Sequence, residues 1–218
     1  MSFKGFSPET VDFLWGIRLN NNREWFTDHK NDYVNYLYEP MKDLGKDLFA
    51  ILEDHPGSLL KVSRIYRDAR MHHPLPYKES LWVCIRKDVE WWGEHPCLYF
   101  EITPDGISYG FFWLQPKVSA LKAFRQEIAA DSKTFLKILR KMQKETGLEL
   151  SAKTYKRPPQ KPEDPKLTPY FAWKSHIGCA VDLEFKEDTF GPELGEKVAT
   201  TLKALLPLYE YLYKFSLA

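Results

Sequence analysis

The fold class follows from residues 97–114, which read CLYFEITPDGISYGFFWL (Cys97–Leu114). Two segments of alternating apolar and polar side chains, Cys97 to Thr103 and Ile107 to Leu114, flank Pro104-Asp105-Gly106. Alternation with a period of two is typical of β-strands, and proline and glycine supply the dihedral angles of a tight turn. These residues therefore predict a β-hairpin.

Helices are predicted on both sides of this hairpin, with further strands next to it. Alternation predicts strands at Leu81–Arg86 and Cys179–Phe185, and apolar residues at steps of three or four predict the helices. We expect an α+β fold, a mainly antiparallel sheet packed with helices from both ends of the chain. The predicted helices start at Ser7-Pro8, run from Thr27 to about His55 with a kink at Pro40, cover Lys117–Ala129 and Ser132–Thr146, and run from Pro192 to about Leu206.

Composition predicts one globular domain that spans residues 1–218. The chain has 218 residues, of which 44% are hydrophobic and 15% aromatic, so it is too apolar to be disordered. A chain of this length buries roughly 70% of its unfolded surface, which is enough for a core without disulfides. Cys84, Cys97 and Cys179 are odd in number and lie among apolar neighbours, so we expect them to be reduced and buried.

The overall charge argues against a general attraction to nucleic acid or to membranes. Lysine and arginine number 31 and the acids number 30, which gives a net charge of +1. Any electrostatic function must therefore come from a local cluster. The sequence shows neither a signal peptide nor an apolar run of about 18 residues, so we expect a cytoplasmic protein without membrane contact.

One local cluster stands out between Arg64 and Lys78, where four cations and two histidines accompany a single acid. If this segment is extended, Arg64, Tyr66, Asp68 and Arg70 point to one face and Ile65, Arg67 and Ala69 to the other. Arginine presents a planar fork that suits phosphate or carboxylate, and tyrosine adds a hydroxyl or a stacking face.

Three functions remain open for this cluster. The first is a binding module for a phosphate- or carboxylate-bearing ligand, and the second is an enzyme that uses the arginines as an electrostatic clamp with Asp68, Glu101 or Glu24 as acid or base. The third is a structural network of ion pairs among Arg64, Asp68 and Arg70 that ties the helices to the sheet. The candidate ligand-binding residues are Arg64, Tyr66, Arg67, Asp68, Arg70, Tyr77 and Lys78, joined by Asn22, Arg23 and Arg157.

Several short motifs give the chain a family resemblance. They are Phe3 to Pro8, Asn21 to Phe26, Arg64 to Arg70, Pro76 to Lys78 and Lys156 to Pro159. Together they resemble the uncharacterised family known as domain of unknown function 2461, over nearly the whole chain. The family pattern between the last arginine and Pro76 reads Phe-Ser-x-Asp-Lys, where this chain has Met71 to Leu75. The resemblance implies neither an activity nor catalytic residues.

The remaining motifs give no cofactor. His72 and His73 are adjacent and His95 lacks a second pair at zinc-site spacing, so we predict no metal. The sequence holds no Walker loop, dinucleotide fingerprint or nucleophile elbow. The basic, proline-rich segment Lys153 to Lys161 could accept an anionic partner, and with the Arg64–Lys78 cluster it could form a groove for single-stranded nucleic acid.

Overall fold

A computed structural model describes residues 2–50, 58–68, 70 and 74–217 of the chain. Its strands form one antiparallel sheet in the order β1-β2-β3-β4-β6-β5, and helices precede, interrupt and follow them along the chain. The α+β prediction is thus confirmed. The strands are β1 (Ser58–Val62), β2 (Leu81–Lys87), β3 (Cys97–Thr103), β4 (Gly106–Trp113), β5 (Ser151–Thr154) and β6 (Trp173–Leu183).

The predicted hairpin is present as strands β3 and β4, which Pro104 and Asp105 connect. The Thr103 hydroxyl donates a hydrogen bond to the Gly106 carbonyl (3.1 Å) and accepts one from the Asp105 amide (3.2 Å), so it closes the turn. Gly106 has a φ of +154°, and a Cβ there would lie 2.3 Å from the Leu183 carbonyl oxygen. Glycine is therefore required for both dihedral angle and space.

Helix α1 (Pro8–Leu19) begins at the predicted residue, but the single long helix expected after it is divided. Its apolar stripe is confirmed, because Tyr33, Leu37 and Met41 are buried. The predicted end of this helix at His55–Gly57 lies outside the described residues. The observed segments are α2 (Arg23–Asp28), α3 (Lys30–Asp32), a π-helix (Tyr33–Tyr38) and α4 (Glu39–Phe49).

The π-helix has a cause in hydrogen bonding. Pro40 has no amide hydrogen, so the carbonyl of Tyr36 cannot accept the usual α-helical hydrogen bond from that position. The buried Thr10 hydroxyl of helix α1 donates to this carbonyl instead, at 2.5 Å. A hydroxyl 26 residues away thereby satisfies the carbonyl that proline leaves without a partner.

The later helices agree with the sequence except for the short helix Thr168–Phe171, which was not predicted, and the end of the last helix. Gly147 ends the second of them in the left-handed conformation, as predicted. The last helix continues through Pro207 to Tyr213, so the predicted end near Leu206 is wrong. The turn after Pro207 stays helical while it buries Leu208 and Leu212 in the core. These helices are α5 (Val118–Ala130), α6 (Ser132–Thr146), α7 (Thr168–Phe171) and α8 (Glu193–Tyr213).

The chain divides into two compact units. Unit 1 comprises residues 1–85, 99–109 and 182–200, and unit 2 comprises residues 86–98, 110–181 and 201–218. The single domain expected from composition stays a prediction. None of the helices in the described ranges is long and apolar enough to cross a membrane.

We expect Gly106→Ala to destabilise the protein more than Gly147→Ala, by about 1 kcal/mol or more in the free energy of unfolding. Both glycines have positive φ, but a Cβ at Gly147 would meet nothing within 4 Å. The Gly147 variant should thus lose only the left-handed preference, about 1 kcal/mol. Urea unfolding followed by tryptophan fluorescence measures both, and equal losses would contradict the packing argument.

Candidate functional site

Residues 64–68, the first part of the Arg64–Lys78 cluster, are called the basic segment below. This segment pairs with residues 76–78, which precede strand β2. The Arg67 amide donates to the Pro76 carbonyl (2.9 Å), and the Lys78 amide donates to the Ile65 carbonyl (2.7 Å). Tyr66 and Tyr77 face each other as an antiparallel bridge between these two hydrogen bonds. The predicted extended conformation is therefore present around the bridge at Tyr66, and the chain bends at Ile65.

Burial alternates along this segment. Ser63 and Ile65 are buried, Arg64 and Tyr66 are exposed, and Arg67 is half-buried. Successive side chains of an extended chain point to opposite faces, so the core position of Ile65 directs Arg67 away from the solvent face. The predicted division into two faces holds at the described positions, and Arg67 occupies the inner one.

A cavity of about 280 Å³ lies beside the inner face, within unit 1. It is lined by three cations, two carboxylates and two hydroxyl groups, which come from helix α1, the basic segment, the start of strand β2 and the hairpin turn. These residues are Arg18, Arg67, Lys78, Glu79, Ser80, Thr103 and Asp105. Every residue of the lining therefore has a polar or charged side chain.

Arg18 contacts both carboxylates of the cavity. Its Nε donates to Glu79 Oε2 (2.8 Å), and Nη1 and Nη2 donate to the two Asp105 oxygens at 2.9 and 2.8 Å. The bidentate contact raises the pKa of Arg18 and lowers the pKa of Asp105. Arg18 thus connects helix α1 to the hairpin turn and to the start of strand β2.

Lys78 has no such partner. Its Nζ donates to the Arg64 carbonyl (2.9 Å) and lies 5.7 Å from the centre of the Trp82 ring. Among the described residues no carboxylate lies within 4.0 Å of this ammonium group. Burial lowers the pKa of Lys78, and the neighbouring charges of Arg64, Arg67 and Lys61 lower it further. The cavity lining carries three cations and two carboxylates, so its net charge is +1.

Arg67 is only partly engaged. Its Nε donates to the Tyr77 carbonyl (2.5 Å), and its Nη2 lies 3.9 Å from Glu79 Oε1, which is long for an ion pair. Nη1 makes no hydrogen bond to any residue in the described part of the chain. Arg67 and Lys78 thus present available donors at the same cavity.

The other residues predicted between Arg64 and Tyr77 lie outside the cavity. Arg70 and Asp68 pair with each other through Arg70 Nη2 and Asp68 Oδ2 (2.6 Å) on the surface. Tyr77 is buried and stacks on Phe26, with 4.2 Å between ring centres, and Tyr66 packs its edge near the same ring. The segment Met71–His73, which includes the two adjacent histidines, lies outside the described residues.

Asn22 and Arg23, which were predicted to bind a ligand, lie at the start of helix α2. Asn22 caps helix α2 by accepting a hydrogen bond from the Trp25 amide (2.9 Å), and Arg23 is exposed at the first position of that helix. Asn21, which the sequence reading did not select, forms two 3.0 Å hydrogen bonds with the backbone of Tyr77. This asparagine ties the turn to the chain that pairs with the basic segment.

Further candidates lie elsewhere. Arg157 is exposed, belongs to unit 2 and does not line the cavity. Glu24 is exposed in the first turn of helix α2, and Glu101 is half-buried on strand β3. Neither they nor Asp68 line the cavity, where the carboxylates are Glu79 and Asp105. Sequence reading missed Arg18 because 87 residues separate it from Asp105 and no local pattern joins them.

The described residues contain neither a candidate metal site nor a disulfide. No group of three or more histidine, cysteine or acidic side chains is placed there to hold a metal ion. All three cysteines are buried, and none of them forms a disulfide. Burial raises the pKa of Cys179 to about 12, so its thiol carries a proton at neutral pH and is a poor nucleophile.

One known protein family matches most of this chain. The family described as "Conserved hypothetical protein (DUF2461)" matches residues 9–211. The chain belongs to the DUF2461 family. No curated protein matches this DUF2461 chain. The match covers every residue that lines the cavity.

Acid should weaken the contact between Arg18 and Asp105. Because the pKa of Asp105 is lowered in the folded protein, the contact stabilises the fold above the ordinary value of 3.8 and is lost as pH falls through the lowered pKa. We expect the free energy of unfolding of Arg18→Met to fall less steeply below pH 3.8 than that of the unmodified protein. Urea unfolding at a series of pH values measures both. Double-mutant cycles should also give a larger coupling for Arg18–Glu79 than for the more exposed Arg18–Asp105 pair. Unchanged acid sensitivity would contradict this assignment.

Proposed function

We propose that this DUF2461 protein is a binding module for a small ligand that carries a phosphate or carboxylate group, and that Lys78 and Arg67 bind this group in the cavity. The observation that carries the proposal is Lys78, a partly buried ammonium group beside three other cations with no carboxylate partner among the described residues. Such an arrangement costs electrostatic free energy in the absence of an anion. An anion beside Lys78 would remove this repulsion.

Donor chemistry supports the same ligand class. Arg67 contributes planar N–H donors, Lys78 contributes a compact charge, and Ser80 brings a hydroxyl to the cavity wall. These are the groups that bind phosphate and carboxylate oxygens in proteins. Glu79 and Asp105 do not oppose this role, because Arg18 already donates to both of them.

Size limits the ligand. A volume of about 280 Å³ is at the lower end of ligand cavities, which range from about 300 to 1,000 Å³. We therefore propose a small anion, or the anionic end of a larger molecule, and not a buried cofactor. Every residue of the cavity wall has a polar or charged side chain, so recognition would depend mainly on charge and hydrogen bonds.

We propose for Arg18 a different role from that of Arg67 and Lys78 in the same cavity. Its three hydrogen bonds connect helix α1, the hairpin turn and the start of strand β2, so it fixes the positions of the cavity walls. We propose that Arg18 is a positioning residue and that Arg67 and Lys78 contact the ligand. The structural network foreseen for Arg64, Asp68 and Arg70 is thus proposed for Arg18 in their place.

Calorimetric titration with sulfate, phosphate, pyrophosphate and citrate tests the proposal. We expect at least one of these anions to bind and to raise the melting temperature. Lys78→Met and Arg67→Met should each weaken binding by about tenfold or more, because a charged hydrogen bond contributes roughly 1.5–3 kcal/mol. Lys4→Gln, which removes an exposed lysine of the same unit, should leave affinity unchanged.

Sulfate provides a second measurement, because it does not titrate near neutral pH. Its affinity should fall as pH rises towards 10.5, the ordinary pKa of lysine, since only protonated Lys78 attracts it. This dependence should be absent in Lys78→Met. If none of the four anions binds, or if both methionine variants bind like the Lys4 control, the proposal is wrong.

A further inference from the structure

A second basic surface lies in unit 2 and is independent of the cavity. It is formed by strand β5, the segment after it and strand β6, and no acid occurs between residues 150 and 162. All of its cations are exposed. We call this set the β5–β6 basic surface: Lys153, Lys156, Arg157, Lys161 and Lys174.

Strand pairing brings these cations together although they are separated in the sequence. Strands β5 and β6 are antiparallel, with Lys153 opposite Ser175 and Thr154 opposite Trp173. The Tyr155 amide extends the pairing by donating to the Ala172 carbonyl (2.8 Å). Lys174, next to Trp173, then places its Nζ 5.7 Å from the centre of the Tyr155 ring.

The charges of this surface are not neutralised. No carboxylate of the described residues lies within 4.0 Å of any of its cations. Lys153 Nζ has only a 3.4 Å contact to His176 Nε2, which brings no negative charge. Elsewhere in unit 2 exposed lysines do pair with acids, as Lys141 with Glu145 and Lys214 with Glu127.

Protection of the sheet edge explains only part of this pattern. Strand β5 is at the edge of the sheet, and lysine on an edge strand prevents pairing with other chains. That accounts for Lys153. It does not account for Lys174, since strand β6 has neighbours on both sides, or for Lys156 and Arg157, which follow the strand.

We propose that the β5–β6 basic surface binds single-stranded nucleic acid. Phosphates would contact the cations, and a base would stack on the half-buried Tyr155, whose ring Lys174 already approaches. The segment from Lys156 to Pro162 has no helix or strand, and Lys156, Arg157 and Lys161 are exposed along it.

The surface does not suit a membrane or a large apolar protein interface. In the described chain, no large exposed hydrophobic side chain lies between residues 150 and 176. An insertion into lipid, or a hydrophobic interface, would need such side chains. Glu163 and Asp164 follow Lys161 directly and limit the surface at that end.

The test is fluorescence anisotropy with the full chain and a labelled 20-nucleotide oligothymidine, as a function of salt. With four phosphate contacts, the slope of log affinity against log salt should be about −3. The triple variant K153Q/K156Q/R157Q should bind about tenfold more weakly or worse at low salt, with a slope shallower by about 2. The matched control is K122Q/K137Q/K144Q, which removes three exposed helical lysines of unit 2.

Tyr155→Leu should weaken binding by about fivefold or more, and Tyr155→Phe, which keeps the ring, should bind like the unmodified protein. Three results would overturn the proposal. They are no binding of the oligonucleotide, equal losses in the two triple variants, and binding to vesicles that contain phosphatidylserine but not to the oligonucleotide. Because Lys78→Met leaves this surface intact, it should bind the oligonucleotide normally even if the small-anion proposal fails.

Discussion

The burial of Ile65 is the constraint on which the candidate site depends. Residues 65–67 pair with residues 76–78, so their consecutive side chains alternate between two faces. Once Ile65 is in the core, Arg67 is directed inward and Arg64 and Tyr66 outward. A shift of this pairing by one residue would exchange the two faces and place Arg67 on the surface.

Charge is distributed unevenly around the resulting cavity. Arg18 is held by both carboxylates, and its contacts join three parts of unit 1. The same contacts engage Glu79 and Asp105, and among the described residues neither carboxylate lies within 4.0 Å of the Lys78 ammonium group. The three cations of the lining exceed its two carboxylates by one charge. Anion recognition would rest on Lys78 because Arg18 is already engaged.

The sequence predicted what local patterns determine. The alternation around Pro104-Asp105-Gly106 predicted the hairpin, and the apolar steps predicted the buried face of Tyr33, Leu37 and Met41. It did not predict the π-helix, because the Tyr36 carbonyl finds its donor in Thr10, far away in the sequence. Arg18 escaped notice for the same reason. Arg67 and Lys78 were candidates from the start, but only the pairing of two segments shows that they share a cavity.

The ionisation of Lys78 tests the proposed anion site most directly. NMR of protein with isotope-labelled lysine side chains, assigned through Lys78→Met, would follow its titration with and without sulfate. We predict a pKa below the ordinary value of 10.5 in the protein alone and a rise when sulfate is added, since an anion favours the protonated amine. A Lys78 pKa at the ordinary value of 10.5 that does not change with sulfate would contradict the proposal that Lys78 binds an anion in this cavity.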